Sequence, residues 1–221
     1  MALLGQPLVV SEIRGSVGGG VYTKGRSGPV MRNRVTPRNP RSSAQTTIRA
    51  NMSAASRGAS ALSSTNKALW STAAAAITKH NRVSGNAYNP SWITYYNSLT
   101  IAYLLGTPGG TPPTTPPTTP YSGDTITLTA TGGSGSIVYT GSAQQTAGSK
   151  TEFLYQRLTA PNRAPKPKGY KIYSVAAVPA TPFQVTASGL AAGTYSVGYK
   201  FIKTATGQES PMVVIGTVTV T

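Results

Sequence analysis

Thr194-Tyr-Ser-Val-Gly-Tyr-Lys-Phe-Ile202 and Met212-Val-Val-Ile-Gly-Thr-Val-Thr-Val220 decide the fold. In the first, Tyr195, Val197, Tyr199 and Phe201 occupy every second position, the period that turns one face of a strand into a core. Upstream, Thr125-Ile-Thr-Leu-Thr-Ala130, Phe153-Leu-Tyr155, Tyr170-Lys-Ile-Tyr-Ser-Val175 and Phe183-Gln-Val-Thr-Ala187 also read as strands, separated by Gly, Pro and Ser. Short alternating runs at this spacing predict an antiparallel β-sandwich of about seven strands over residues 121–221. The chain is thus expected to be mainly β.

Toward the N-terminus the composition changes abruptly. Residues 106–120, Gly-Thr-Pro-Gly-Gly-Thr-Pro-Pro-Thr-Thr-Pro-Pro-Thr-Thr-Pro, favour polyproline II, and fifteen residues of it would span up to ~45 Å as a semi-rigid linker. Before the linker, residues 43–105 carry helical signals. Ser42 or Ser43 can cap a helix whose Ile48, Met52, Ala55, Ala59 and Leu62 share a face, and Ser63 or Ser64 can cap a second containing Leu69, Trp70, Ala73, Ala76 and Ile77. These predict a helical hairpin. A third, aromatic helix is expected from Asn89-Pro90 onward, with Pro90 at the first helical position, presenting Trp92, Tyr95, Tyr96, Leu99 and Tyr103.

Residues 1–42 read differently again. From Arg14 to Arg41 the chain is rich in Gly, Arg and Pro and poor in large aliphatic residues, so it predicts an extended basic arm that is ordered on a partner. The start, Met1-Ala-Leu-Leu-Gly-Gln-Pro-Leu-Val-Val10, lacks a basic leader and makes a poor secretory signal. No window approaches the ~18 apolar residues of a membrane span.

Charge marks the same division. Lys and Arg total 20 against 4 for Asp and Glu, a formal net charge of +16. Residues 1–82 hold 12 basic side chains and one acid, 83–120 hold no charge, and 121–221 hold 8 basic and 3 acidic side chains. Such a field attracts nucleic acid, an anionic membrane or an acidic protein surface. Arg26, Arg32, Arg34, Arg38 and Arg41 recur among prolines in a pattern suited to an extended segment touching phosphates or carboxylates, and with Arg49 they form the expected partner-binding set. Nothing in the arm predicts base readout, which needs a recognition helix or a stacking platform.

The chemistry of catalysis is hard to assemble from this sequence. Cysteine is absent, His80 is the only histidine, and Glu12, Asp124, Glu152 and Glu209 are the only carboxylates. His80 is expected at the polar end of the second helix, where the helix dipole favours it. A carboxylate pair would need distant segments to meet. Gly15-Ser-Val-Gly-Gly-Gly20 lacks the spacing of a phosphate loop, and Asn51-Met-Ser53 matches a glycosylation sequon inside a helix. The expectation is a protein that is not an enzyme, with no metal or cofactor site.

The order Gly18-Gly-Gly20, the Arg-rich turn, Asn39-Pro-Arg41, Gln45, Arg49 and the later Trp70 resembles a segment found in uncharacterised virion-associated proteins of phages and prophages, over about residues 15–105. Leu190-Ala-Ala-Gly193-Thr-Tyr195 resembles the late strands of immunoglobulin-like and fibronectin-type modules. Together the resemblances imply a bacteriophage virion structural protein, such as a capsid decoration, vertex or head-tail component, made in the host cytoplasm. They also imply multi-copy or homo-oligomeric assembly on other virion proteins such as the major capsid protein, with an immunoglobulin-like sandwich displayed beyond the linker. The alternative is a packaging or coating protein that binds nucleic acid through the arm.

Overall fold

The computed structural model describes residues 15–25, 28–35, 39, 41–81 and 85–221. The chain divides into two compact units, Met1–Ser42 and Ser43–Thr221.

In the first unit, β1 (Gly15–Val17), β2 (Gly20–Gly25) and β3 (Gly28–Asn33) form an antiparallel meander in that order. Gly18, at φ +56°, supplies the left-handed conformation that a two-residue hairpin needs between β1 and β2. The Arg34 N–H donates to the Gly19 carbonyl at 2.8 Å and continues the pairing past β3. Residues 15–25 and 28–33 are therefore a small sheet where composition predicted an extended arm. Turn chemistry accounts for the difference, because glycine-flanked hairpins need little core to set their register. Val30, Met31 and Val35 stay 48%, 62% and 78% exposed.

The second unit begins with α1 (Ser43–Ala61) and α2 (Ser64–Ala75), followed by the two-residue strands β4 (Lys79–His80) and β5 (Ala87–Tyr88) and then α3 (Trp92–Gly106). The Ser63 side chain accepts from Asn66 N–H and the Ser91 side chain from Thr94 N–H, so both helices start at capping serines. Pro90 thus lies just before the α3 cap, two residues ahead of the first helical position expected for it. Only the C-terminal half of the expected α1 face is covered: Ala55, Ala59 and Leu62 are buried, while Ile48 and Met52 are about half exposed. Trp70 fills the centre, in edge-on contact with Tyr95 and Tyr96. Gly58 leaves the room on α1 that the Tyr96 hydroxyl occupies.

Two antiparallel sheets follow. β6 (Leu128–Gly133), β7 (Ser136–Gly141) and β10 (Gln184–Ser188) form one, in the order β10-β7-β6. β8 (Ser149–Arg157), β9 (Lys171–Ala176), β11 (Gly193–Lys203) and β12 (Val213–Val220) form the other, in the order β12-β11-β8-β9. One core joins them, with Leu128, Ile137, Tyr139 and Ala187 from the first sheet and Phe153, Tyr195, Val197, Tyr199, Phe201 and Val220 from the second. The period-two residues of β11 are those predicted to face inward. At one edge the sheets are tied together: Thr221 N–H donates to Gly133 O at 3.2 Å, and Gly135 N–H to Thr221 O at 2.9 Å. Gly132 makes that approach feasible, since a Cβ there would collide with the Thr219 backbone.

The opposite face of β11 is covered as well, which an isolated sandwich would not require. Ser196 and Ile202 are buried, α3 runs against β11 and β9, and the Lys150 ammonium donates to the Gly106 carbonyl. Gly207, at φ +72°, brings the β11–β12 turn against the Leu99 carbonyl. Helices and sandwich are thus one body. Residues 106–120 are a strap on that body: the Trp70 indole N–H donates to Thr114 O at 2.9 Å, and the Gln208 side chain to Thr119 O at 2.9 Å. Pro112, Pro113, Pro116 and Pro117 are half-buried while the threonines between them point outward. A spacer holding the sandwich away from the helices, as composition suggested, is not what the prolines build.

Candidate functional site

The expected arginine set divides among three locations. Arg26 and Arg38 lie outside the described residues. Arg32 sits on β3 opposite Val21, and Arg34 follows two residues on, so strand geometry puts both on one face of the meander. Arg41 precedes α1 with φ 48°, a conformation that asparagine and glycine adopt more readily, and its side chain is exposed. Arg49 belongs to the second unit, on an exposed turn of α1.

His80 falls on β4, beyond the end of α2 where it was expected. Its Nδ1 lies 3.2 Å from Gly85 O, and the ring is exposed. That contact closes the small β4–β5 hairpin. Among the described residues no group of three or more His, Cys, Asp or Glu side chains could hold a metal ion.

Sequence reasoning missed how the three C-terminal carboxylates are used. Asp124 is a clamp. It accepts from Thr125 N–H at 2.7 Å, Thr146 N–H at 2.8 Å, the Thr146 hydroxyl at 3.0 Å and the Ser149 hydroxyl at 2.8 Å, tying the approach to β6 onto the β7–β8 loop. Burial opposes its charge, yet those bonds together outweigh burial and hold its carboxyl below its ordinary range.

Glu152 and Glu209 meet at Lys200. The ammonium is 2.8 Å from Glu152 Oε2 and 2.6 Å from Glu209 Oε2. Glu152 faces Lys200 directly across the β8–β11 ladder, and β11 bends back through Ile202 to bring Glu209 alongside. Glu152 has no exposed surface, and its Oε1 lacks a hydrogen-bond partner. Burial therefore pushes its pKa up despite the ammonium beside it. Lys200 is also desolvated, but two carboxylates more than compensate and raise its pKa.

The arrangement fixes strand register. It offers no route for a substrate to Glu152, because that carboxylate has no solvent-facing surface. A shallow groove of about 670 Å³ runs between Thr47 and Ile48 of α1 and Tyr170 and Ile172 near β9, and neither a carboxylate nor a histidine lines it. No described helix is long and apolar enough to cross a membrane.

No family model matches the chain, and no curated protein matches it. Among solved structures, a family 76 glycoside hydrolase from a bovine Bacteroides thetaiotaomicron strain is similar at 11% identity and a TM-score of 0.32, over 45% of this chain and 20% of that one. The chain spans about a fifth of that enzyme's length, and a likeness this slight carries no argument about fold or activity.

Proposed function

We propose that the protein is a non-enzymatic virion structural component, docked on an acidic shell protein through its basic N-terminal region and presenting the helix-and-sandwich unit. The observation that carries this reading is the segregation of charge: residues 1–82 hold 12 basic side chains against one acid, whereas residues 83–221 hold 8 against 3. The meander supports it. Arg32 and Arg34 share one face of a sheet with the exposed Val30, a surface with both charge and apolar area to lose to a partner. The resemblance of residues 15–105 to phage and prophage proteins points to the same setting, with synthesis in the host cytoplasm and several copies per particle.

The finer reading of the sandwich is immunoglobulin-like. A three-stranded β10-β7-β6 sheet facing a four-stranded β12-β11-β8-β9 sheet has the strand order of a fibronectin-type module. Tyr195, at the start of β11, donates its hydroxyl to Ala191 O at 2.7 Å, four residues upstream, in the manner of the tyrosine corner of such domains.

The test neutralises Arg26, Arg32, Arg34, Arg38 and Arg41 together to Gln and measures co-sedimentation with empty, DNA-free particles. Exposed pairs contribute ~0.2 to 1 kcal/mol each, so five at ~0.3 kcal/mol already reach a tenfold loss. The expected result is at least that loss, with the thermal midpoint of the second unit unchanged. Undiminished docking would refute the proposal. Loss of duplex DNA binding without loss of docking would establish the packaging or coating role instead.

A further inference from the structure

Residues 157–171, from the last residue of β8 through the connecting loop to the first residue of β9, hold most of the unpaired charge of the second unit's sandwich. Arg157, Arg163, Lys166, Lys168 and Lys171 are five of the eight basic residues in 121–221, and no acid interrupts them. All five are exposed, and none is in an ion pair with a described carboxylate. Elsewhere in 121–221, three basic residues balance three acids, so this loop alone accounts for the sandwich region's net charge of +5.

The loop is built to hold its shape. The Gln156 side chain accepts from Lys166 N–H at 3.0 Å, Gly169 N–H donates to Lys166 O at 2.8 Å, and Arg163 N–H donates to Ala160 O at 3.1 Å. The Gln156 amide lies in the space that a Cβ at position 169 would take, so a larger residue there would displace the side chain that holds Lys166 N–H. Pro161, Pro165 and Pro167 fix three further backbone angles. Arg157 is anchored to Ala192 O at 2.8 Å and Arg163 to the Thr159 hydroxyl at 3.0 Å. Both arginines and Lys166 line a hollow of about 250 Å³, walled by Leu158 and Ala164. Cations held in place before a ligand arrives lose less entropy on binding it.

From this geometry we infer that the β8–β9 loop is a second polyanion-binding surface, separate from the N-terminal arginines, and that its ligand is the phosphate backbone of duplex nucleic acid. Five cations distributed along a stiff loop match a polymer of regularly spaced charges better than one small anion. Arginine forks favour phosphate, which they grip with two parallel hydrogen bonds. No aromatic ring lines the hollow, so it offers no platform for stacking unpaired bases. Binding is therefore sequence-independent and salt-sensitive. The inference stands apart from the docking proposal, because it concerns different residues in a different unit.

The full-length protein, wild type and R163Q/K166Q/K168Q/K171Q, is titrated against a fluorescent 30-base-pair duplex across a salt series. Each lost phosphate contact lowers the slope of log affinity against log salt by ~0.9, so the variant slope should fall by about 2 to 4. Affinity near 0.1 M salt should drop at least tenfold. Unchanged affinity and slope would overturn the inference. Acetylation footprinting of the wild type gives an answer independent of variant folding: the duplex should protect Lys166, Lys168 and Lys171 several-fold while leaving Lys67 and Lys79 reactive. Equal reactivity with and without the duplex refutes the site. If polyglutamate of matching length competes as well as the duplex does, the phosphate assignment fails and an acidic protein surface takes its place.

Discussion

Replacing Trp70 tests whether the proline-rich segment is a strap or a spacer. The Trp70 ring has no exposed surface, meets Tyr95 and Tyr96 edge-on, and donates to Thr114 O from 44 residues away. Trp70→Phe keeps most of the ring and removes the donor. The lost bond is worth ~0.5 to 1.5 kcal/mol, and the gap left by the smaller ring adds to it, so a loss of about 1 to 3 kcal/mol is expected in urea unfolding. Trp70→Ala should cost about 3 to 5 kcal/mol. Both should shift the midpoint with little change in slope.

The decisive comparison places Trp70→Phe in a second background, in which residues 107–120 are replaced by a Gly/Ser segment of equal length. Fixing each flexible residue costs ~1 to 2 kcal/mol, more than a single hydrogen bond returns, so that segment should not present a carbonyl to the indole. Trp70→Phe should then lose ~0.5 to 1.5 kcal/mol of its effect, and the coupling measures the strap contact itself. An identical cost in both backgrounds would show that residues 107–120 contribute nothing to the packing of Trp70, and the strap reading would fall.

Two further outcomes follow from the sandwich. Asp124, whose folded pKa is depressed, stabilises the protein above its ordinary value of 3.8 and loses that contribution as pH falls through the folded value; Glu152, whose folded pKa is raised, penalises the fold as pH rises above 4.5. Urea midpoints across pH should therefore show D124N less stable than wild type near neutrality and converging with it in acid, while E152Q gains on wild type as pH rises; parallel profiles would contradict both assignments. Tyr195→Phe removes the hydroxyl that reaches Ala191 O and should lower stability by ~0.5 to 1.5 kcal/mol; a change within a few tenths would deny the corner a structural role.

What could be read from the sequence depended on whether the signal was local. Tyr195, Val197, Tyr199 and Phe201 were legible as a core face because burial on one side of a strand imposes a period of two. The Ser63 cap was legible because a helix start leaves donors that a nearby hydroxyl satisfies; the Ser91 cap was missed because Pro90, two residues before the first helical residue, itself reads as a helix start. The meander at 15–33 was hidden by its composition: glycines that permit disorder are the same glycines that permit a two-residue hairpin. The strap was misread for a related reason. Proline and threonine content reports backbone stiffness, whereas the partner of a stiff segment, here Trp70, is fixed by tertiary packing. The meeting of Glu152, Lys200 and Glu209 required knowing the β8–β11 register, which no local pattern contains. The excess of 8 basic over 3 acidic residues in 121–221 was visible in the composition, but its concentration at 157–171 matters only once the fold shows where the acids go.

The placement of those acids bears on how copies of this protein can assemble. Asp124 is saturated with hydrogen bonds, and Glu152 and Glu209 share Lys200, so the three described carboxylates are all engaged inside the fold. Few negative groups remain to offset a formal charge of +16. Neighbouring copies within the ~10 Å screening distance of 0.1 M salt repel each other, and the repulsion grows with each copy added. A closed lattice of this chain alone would have to overcome that repulsion through apolar contact. An anionic surface beneath or between the copies removes it and adds attraction for each chain. If the proposed docking holds, dense packing and polyanion binding are linked: a partner that held one copy would also make room for the next. Under the proposed docking, added salt would act on both halves of this balance in opposite senses, weakening attachment through the exposed arginines and the loop cations while easing the repulsion between neighbours.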